Sequence, residues 1–242
     1  MIKLTQDFNS DFEVLTNRIF IQKTPTYFSR YADGELALMM GRKIIGCDNW
    51  YSTEGKSTLG KDLINSLKNN HPNKIYAISC NCCDPIAKKI LLDNLKIAGI
   101  NMSNITFSNL WINGNYKKFK NILETQISEK VVLIANEEGK NKKYPFDIHD
   151  FLGLPDDCVN FWNTQKEKFI SDILERFSSY NDTLFLISAG PLSEVIIELL
   201  FNLNKTNRYI DIGSSLDEFT KNRKTRSFMI EGKQYYNQMC IF

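Results

Sequence analysis

Four short apolar runs constrain this chain more than anything else in it: Lys74-Ile75-Tyr76-Ala77-Ile78-Ser79, Val131-Val132-Leu133-Ile134-Ala135, Leu184-Phe185-Leu186-Ile187-Ser188 and Arg208-Tyr209-Ile210-Asp211-Ile212. A strand with one wet face alternates apolar and polar residues, whereas these runs are continuous, as strands covered on both sides must be. Between them lie stripes at helical spacing: Leu59, Leu63, Ile64 and Leu67; Ile86, Ile90, Leu91 and Leu95; Val195, Ile196, Leu199, Leu200 and Leu203. Strand and helix in alternation predict an α/β fold with a mostly parallel, Rossmann-like sheet and helices on both faces. No repeat, low-complexity tract or Pro/Gly/Ser linker divides the 242 residues, so residues 1–242 read as a single domain. The stretch from Glu137 to Asn163, interrupted by Gly139, Pro145, Gly153 and Pro155, reads as a long irregular connection of the kind that forms binding or lid loops.

Composition narrows the function classes. A net charge of +2 gives no footprint for nucleic acid. Basic runs at Lys140-Asn141-Lys142-Lys143 and Lys221-Asn222-Arg223-Lys224-Thr225-Arg226 suit solvated loops, a diphosphate, or peripheral contact with an anionic membrane surface. The N-terminus has no apolar leader and nowhere do 18 uncharged apolar residues follow one another, which points to the cytoplasm. Of the six cysteines, Cys80-Asn81-Cys82-Cys83 holds one C-x-x-C pair, while Cys47, Cys158 and Cys240 are scattered singly. Without a second pair, they read as small buried hydrophobes rather than a zinc site. Only His71 and His149 are present, and no hydrolase, zincin or kinase motif set occurs, so carboxylate and metal chemistry fits better than imidazole chemistry.

Open parallel sheets bind ligands beyond the carboxyl ends of their strands, where this chain is distinctive. Tyr27-Phe28-Ser29-Arg30-Tyr31-Ala32-Asp33-Gly34-Glu35 is a β-leaning run ending in two carboxylates. In an extended or tightly turned segment Asp33 and Glu35 point the same way and can both face one hard cation, with Arg30 close by. The same residues also fit a plain Asp-Gly turn leading into a solvated helix. Leu184–Ile187 runs into Ser188-Ala189-Gly190-Pro191, a glycine turn before a helix that suits an anion or ribose diphosphate and equally an ordinary strand-to-helix turn. Asp211-Ile212-Gly213-Ser214-Ser215-Leu216-Asp217 adds two carboxylates, with Asp211 suited to a ribose or base edge and Asp217 to a helix start or a general base. Val131–Ala135 exits into Asn136-Glu137-Glu138-Gly139.

Taken together, Arg30-Tyr31-Ala32-Asp33-Gly34-Glu35, Ser188-Ala189-Gly190-Pro191, Ile210-Asp211-Ile212-Gly213 and Arg226-Ser227-Phe228 resemble, in order and spacing, bacterial glycosyltransferases of the GT-D fold type, from about residue 25 to residue 228. The family carries an R-x-G-D-G-E-like segment whose D-x-E carboxylates bind a divalent metal, an S-x-G-P turn and a D-I-G strand end. Two departures stand out. Ala32 replaces the glycine before Asp33, and Ser214 lies near a position where some members have histidine.

The resemblance implies transfer of a sugar from a nucleotide-sugar donor, a UDP-sugar, with Mn²⁺ or Mg²⁺, onto a glycan, glycolipid or glycoprotein acceptor. Asp33 and Glu35 would hold the metal. Arg30, Ser188, Gly190 and Asp211, with main-chain donors at Gly213 and Ser214, would grip the nucleotide. Asp217 is the first choice for the base on the acceptor hydroxyl and Glu138 the second. Trp50 with Tyr51, Trp111 with Tyr116, and Trp162 offer rings for stacking on a sugar, and Trp111 and Tyr116, in the most polar of these segments, are expected to meet the acceptor; core packing is the alternative for each. Two rival readings are a different Rossmann-like transferase, whose glycine turn would come after the first strand rather than late, and a non-catalytic sugar-nucleotide or glycan-binding module.

Overall fold

The computed structural model describes residues 2–42, 44–45, 51–52, 57–222, 224 and 226–242, with backbone alone at 44–45 and 51–52. Cys47, Trp50 and Arg223 lie outside the described residues, as does any stacking role for the Tyr51 ring.

The strands are β1 (Thr26–Tyr31), β2 (Ile44–Ile45), β3 (Tyr51–Ser52), β4 (Lys74–Ile78), β5 (Ile105–Phe107), β6 (Val131–Asn136), β7 (Ile148–Leu154), β8 (Leu184–Ser188) and β9 (Arg208–Asp211). The helices are α1 (Phe8–Thr16), α2 (Asp33–Met39), α3 (Thr58–Lys68), α4 (Pro85–Ile97), α5 (Tyr116–Thr125), α6 (Cys158–Phe177), α7 (Ser193–Leu203) and the single turn α8 (Asp217–Thr220). A seven-stranded sheet runs β5-β4-β1-β9-β8-β6-β7, every neighbouring pair parallel, beside a small antiparallel β2-β3 ribbon. The parallel α/β architecture expected from the continuous apolar runs is therefore present.

Alternate residues along each strand feed opposite faces. Phe28, Ile75, Ala77, Phe107, Leu133, Leu186 and Ile210 pack under α1 and α5. On the other face Tyr27, Val132, Ile134, Phe185, Ile187 and Tyr209 pack under α3, α6 and α7, and Tyr31, Tyr76 and Ile78 under α4. The helices start where local chemistry satisfies their free N–H groups: Ser57 accepts from Gly60 N at 2.9 Å, Asp84 from Ala87 N at 2.8 Å with Pro85 next to it, and Asp157 from Asn160 N at 3.1 Å. Gly60 matters for a second reason. A Cβ there would stand 2.4 Å from the Leu38 carbonyl oxygen, so α3 lies against α2 only because the position carries no side chain.

The region from Glu137 to Asn163 differs from expectation. It holds β7 and the start of α6 rather than an irregular loop. β7 is an edge strand with mostly half-buried residues, so it lacks the continuous apolar signal of a central strand.

From β1 the chain builds outward through β4 to β5, and its second half fills the other side until β9 lies beside β1. The segment leaving β1 turns toward the α3 and α4 face, where Leu36 and Leu38 are buried; the segment leaving β9 turns toward the opposite face, where Leu216 packs. Two connections diverging from adjacent parallel strands leave a crevice between them, the switch-point geometry where open α/β sheets bind ligands.

Candidate functional site

A cleft of about 610 Å³ occupies that crevice, within the range of small-molecule sites. Segments distant in sequence line it: Arg30 and Asp33–Glu35 from β1 and α2, Gly190 after β8, and Asp211, Gly213 and Ser214 after β9. A smaller cavity of about 110 Å³ adjoins it and shares Gly190, Gly213, Ser214 and Arg226; Ser188 and Asp217 line this second space.

Arg30 is the hub. β1 sends its side chain to the Phe28 face. Its Nε donates to the Ser108 carbonyl oxygen at 2.6 Å, and its Nη1 lies 3.7 Å from Asp211 Oδ1. The guanidinium fills the space that a side chain on residue 213 would take, because a Cβ on Gly213 would stand 1.4 Å from Nη1. Gly213 has φ +50°, a conformation that glycine adopts without strain. Its N–H donates to Asp211 Oδ1 at 2.7 Å, so that main-chain donor is committed within the protein rather than free for a nucleotide as expected. The Ser188 hydroxyl is likewise committed, donating to the Gly213 carbonyl oxygen at 2.7 Å and tying the turn after β8 to the turn after β9.

Asp33 and Glu35 do not sit in extended chain. They occupy the first turn of α2, where residues two apart lie on different sides of the helix, yet both still face the cleft. Asp33 is exposed, and Glu35 folds back so that Oε2 accepts from Ala32 N at 2.8 Å. Ala32 is extended and begins the helix without a side-chain cap of its own, and Glu35 supplies the missing acceptor. Desolvation pushes the Glu35 carboxyl up to about 7, opposed by the Ala32 N–H and by Arg30.

A further carboxyl, not anticipated from the sequence, completes the cluster. Glu194, fully buried in the first turn of α7, accepts from Arg30 N at 3.3 Å through Oε1, while Oε2 has no hydrogen-bond partner among the described residues. Burial, then the negative charge of Asp211 and Glu35, raises its carboxyl well above the usual range. Asp211 is raised by burial, opposed by the Arg30 guanidinium and by the Gly213 N–H. Asp211 and Glu35 thus lie near the Arg30 guanidinium, while Glu194, held on the Arg30 main-chain N–H, adds a third carboxyl whose neutral form burial and its acidic neighbours favour. The available signal was an acidic residue opening an otherwise apolar helix, Ser193-Glu194-Val195-Ile196-Ile197.

Asp217 is buried at the start of α8 with Lys221 Nζ at 3.5 Å and Arg226 Nε at 3.4 Å. Glu138 is exposed beyond β6 and lines neither cavity, so the second choice for a base is set apart from the site.

The aromatic residues expected at the acceptor need correction. Trp111, 1% exposed, lies in the core, its ring 4.8 Å from Phe28, 5.0 Å from Phe119 and 6.0 Å from Phe12. Tyr116 is also buried, donating to Glu218 Oε2 at 3.1 Å and packing on Phe228 with ring centroids 5.0 Å apart. Neither touches the cleft, because a flat apolar ring gains more from burial than from a wet surface. Trp162 is buried on α6, its Nε1 donating to Asp62 at 2.8 Å. Among the described residues, the rings that line the cleft are Phe228 and Tyr235.

The cysteine reading also changes. The C-terminal segment returns Cys240 to the loop after β4, and the sulfurs of Cys80, Cys82, Cys83 and Cys240 lie within 4.8 Å of one another. Among the described residues no helix is long and apolar enough to cross a membrane.

No family model matches the chain, and no curated protein matches it. Solved structures do. One, described as "The highly conserved domain of unknown function 1792 has a distinct glycosyltransferase fold", superposes with TM-score 0.55 at 14% identity over 92% of this chain and 86% of its own. Another, "A New Glycosyltransferase (DUF1792) from Streptococcus sanguinis", superposes with TM-score 0.57 at 13% identity over 100% of this chain and 94% of its own. The chain therefore has a glycosyltransferase fold of the kind described for DUF1792 domains.

Proposed function

We propose that this protein is a metal-dependent glycosyltransferase that moves a sugar from a nucleotide-sugar donor, a UDP-sugar, to a glycan, glycolipid or glycoprotein acceptor. One observation carries the reading: Arg30, the Asp33–Glu35 turn, Gly190 and the Asp211–Ser214 turn, drawn from both ends of the chain, line one cleft at the switch point of a parallel sheet. The likeness to a domain described as a new glycosyltransferase supports it.

The donor set fits a divalent cation. Glu35, Glu194 and Asp211 gather beside Arg30, Glu194 Oε2 is buried without a hydrogen-bond partner among the described residues, and burial raises all three carboxyls. Asp33 and Glu35 would hold Mn²⁺ or Mg²⁺, hard cations that favour carboxylate oxygens. Bound there, the ion would neutralise charge on the leaving diphosphate. Arg30, locked by Ser108 and Asp211, presents fixed positive charge to the same diphosphate with no reorganisation during transfer. The Ser188–Gly213 bond holds the two glycine turns in register. Phe228 and Tyr235 offer ring faces to a base or sugar. Asp217, lining the adjoining cavity, remains the carboxylate for the acceptor proton.

The test is a panel of nucleotide-sugars incubated with the protein and Mn²⁺, with released nucleotide followed by mass spectrometry. Release of UDP from one donor supports the assignment. Metal-dependent UDP binding without turnover across the panel makes the protein a binding module instead.

A further inference from the structure

We propose that Cys80, Cys82, Cys83 and Cys240 form a closed, four-thiolate Zn²⁺ site that clamps the C-terminal segment onto the loop after β4, beside the cleft.

The sulfur spacings suit a single tetrahedral ion. With Zn–S bonds of about 2.3 Å, tetrahedral ligands place their sulfurs about 3.8 Å apart. Cys80 and Cys82 sulfurs are 3.3 Å apart, Cys82 and Cys83 are 3.9 Å apart, and all four fall within 4.8 Å. Three ligands come from one tight turn, in which Cys83 N and Asp84 N both donate to the Cys80 carbonyl oxygen at 3.3 and 3.0 Å. The fourth comes from the far end of the chain.

Burial alone does not account for the cluster, because Cys82 is exposed while Cys80 and Cys240 are buried. The surroundings are those of sulfur acting as an acceptor. Asn109 Nδ2 donates to Cys83 Sγ at 3.2 Å, and Asn113 Nδ2 to Cys240 Sγ at 3.5 Å. Such N–H···S contacts orient thiolate ligands and spread their charge. On binding, the S–H protons leave to solvent and four sulfur lone pairs go to one Zn²⁺, giving a centre of net charge −2; no oxidant or reductant is needed.

The clamp also supplies what the tail otherwise lacks. From Ile230 to Phe242 there is neither helix nor strand, yet the segment is drawn back onto the sheet edge. Asn81 N donates to the Ile241 carbonyl oxygen at 2.9 Å, Gly114 N to that of Gln238 at 2.9 Å, and Phe242 packs on Phe107. Tyr235 of this segment and Cys83 itself line the cleft, so the site fixes one wall of it. With four protein ligands it has no open position and is structural, distinct from the carboxylates of Asp33 and Glu35.

The experiment uses the full chain, purified without chelator and analysed for metal by plasma mass spectrometry, then titrated with Co²⁺ after mercurial displacement and thiol recovery. About one zinc per chain is expected, together with thiolate-to-cobalt charge-transfer bands and intense visible bands of a tetrahedral site. Cys83→Ser and Cys240→Ser should lose the stoichiometric zinc, while Cys158→Ser, remote from the cluster, should keep it. If the serine variants do not fold, the cobalt spectrum of the unaltered chain decides. Metal-free protein whose Co²⁺ spectrum lacks thiolate bands, or a mapped disulfide within the four, overturns the proposal. Neither readout involves nucleotide, so this result and that of the donor panel are independent.

Discussion

The Arg30 guanidinium occupies the side-chain space of Gly213, 1.4 Å from where a Cβ would be. Two motifs separated by most of the chain are therefore one object: the arginine has its place because the glycine has no side chain, and Asp211 binds both. Gly213→Ala should expel Arg30 and strain a backbone at φ +50°, costing about 1–2 kcal/mol for the backbone alone. Urea unfolding of Gly213→Ala, Arg30→Ala and the double variant should give a coupling energy: with the arginine shortened, the added methyl costs less than it does in the parent chain.

Glu35 gives a pH dependence whose sign is fixed. Its carboxyl is raised from an ordinary 4.5 to about 7 by desolvation, so between those values the folded metal-free chain binds more protons than the unfolded one. Stability from this group is complete below the lower value and is lost as pH rises through about 7. Thermal unfolding of metal-free protein across this range should show the decline, and Glu35→Gln should flatten it.

Glu194 separates charge from shape. Burial and the charge of Asp211 and Glu35 raise the Glu194 carboxyl and favour its neutral form, which an amide imitates, so Glu194→Gln should change stability by no more than about 1 kcal/mol. Glu194→Leu leaves the Arg30 N–H without its acceptor and should cost about 1–3 kcal/mol. Chemical denaturation of both variants checks the contrast.

Trp111→Ala tests the revised role of that ring. Truncating a tryptophan packed on three aromatic rings should cost about 3–5 kcal/mol. Where the variant still folds, nucleotide binding by calorimetry should be unchanged. A stable variant with impaired sugar transfer would return Trp111 to the acceptor.

What the sequence discloses follows from how local each signal is. The central strands β4, β6, β8 and β9 are continuous apolar runs and read directly, as do the turns at their ends. β7 is an edge strand containing His149, Asp150 and Gly153, and its pairing on one side leaves no pattern to read. Asp33, Glu35, Arg30, Gly190, Asp211, Gly213 and Ser214 are legible as strand-end chemistry, and the parallel sheet gathers them. Glu194 hides inside a helix and acquires meaning only from burial beside Asp211. Cys240 joins Cys80, Cys82 and Cys83 through a chain reversal that no local spacing encodes, so counting C-x-x-C pairs missed the cluster. Trp111 and Tyr116 misled because a polar neighbourhood in sequence does not make a ring exposed.

The proposed reaction depends on Asp33 and Glu35 sharing a divalent ion with a nucleotide diphosphate beside the turns at Gly190 and Gly213. Calorimetric titration of UDP with and without Mn²⁺, on the parent chain and on Asp33→Asn and Glu35→Gln, isolates that step. Mn²⁺ should tighten UDP binding by about tenfold or more in the parent, about 1.4 kcal/mol, and by nothing measurable in either variant. Equal UDP affinity with and without the metal in the parent, or full metal enhancement in both variants, would contradict the account.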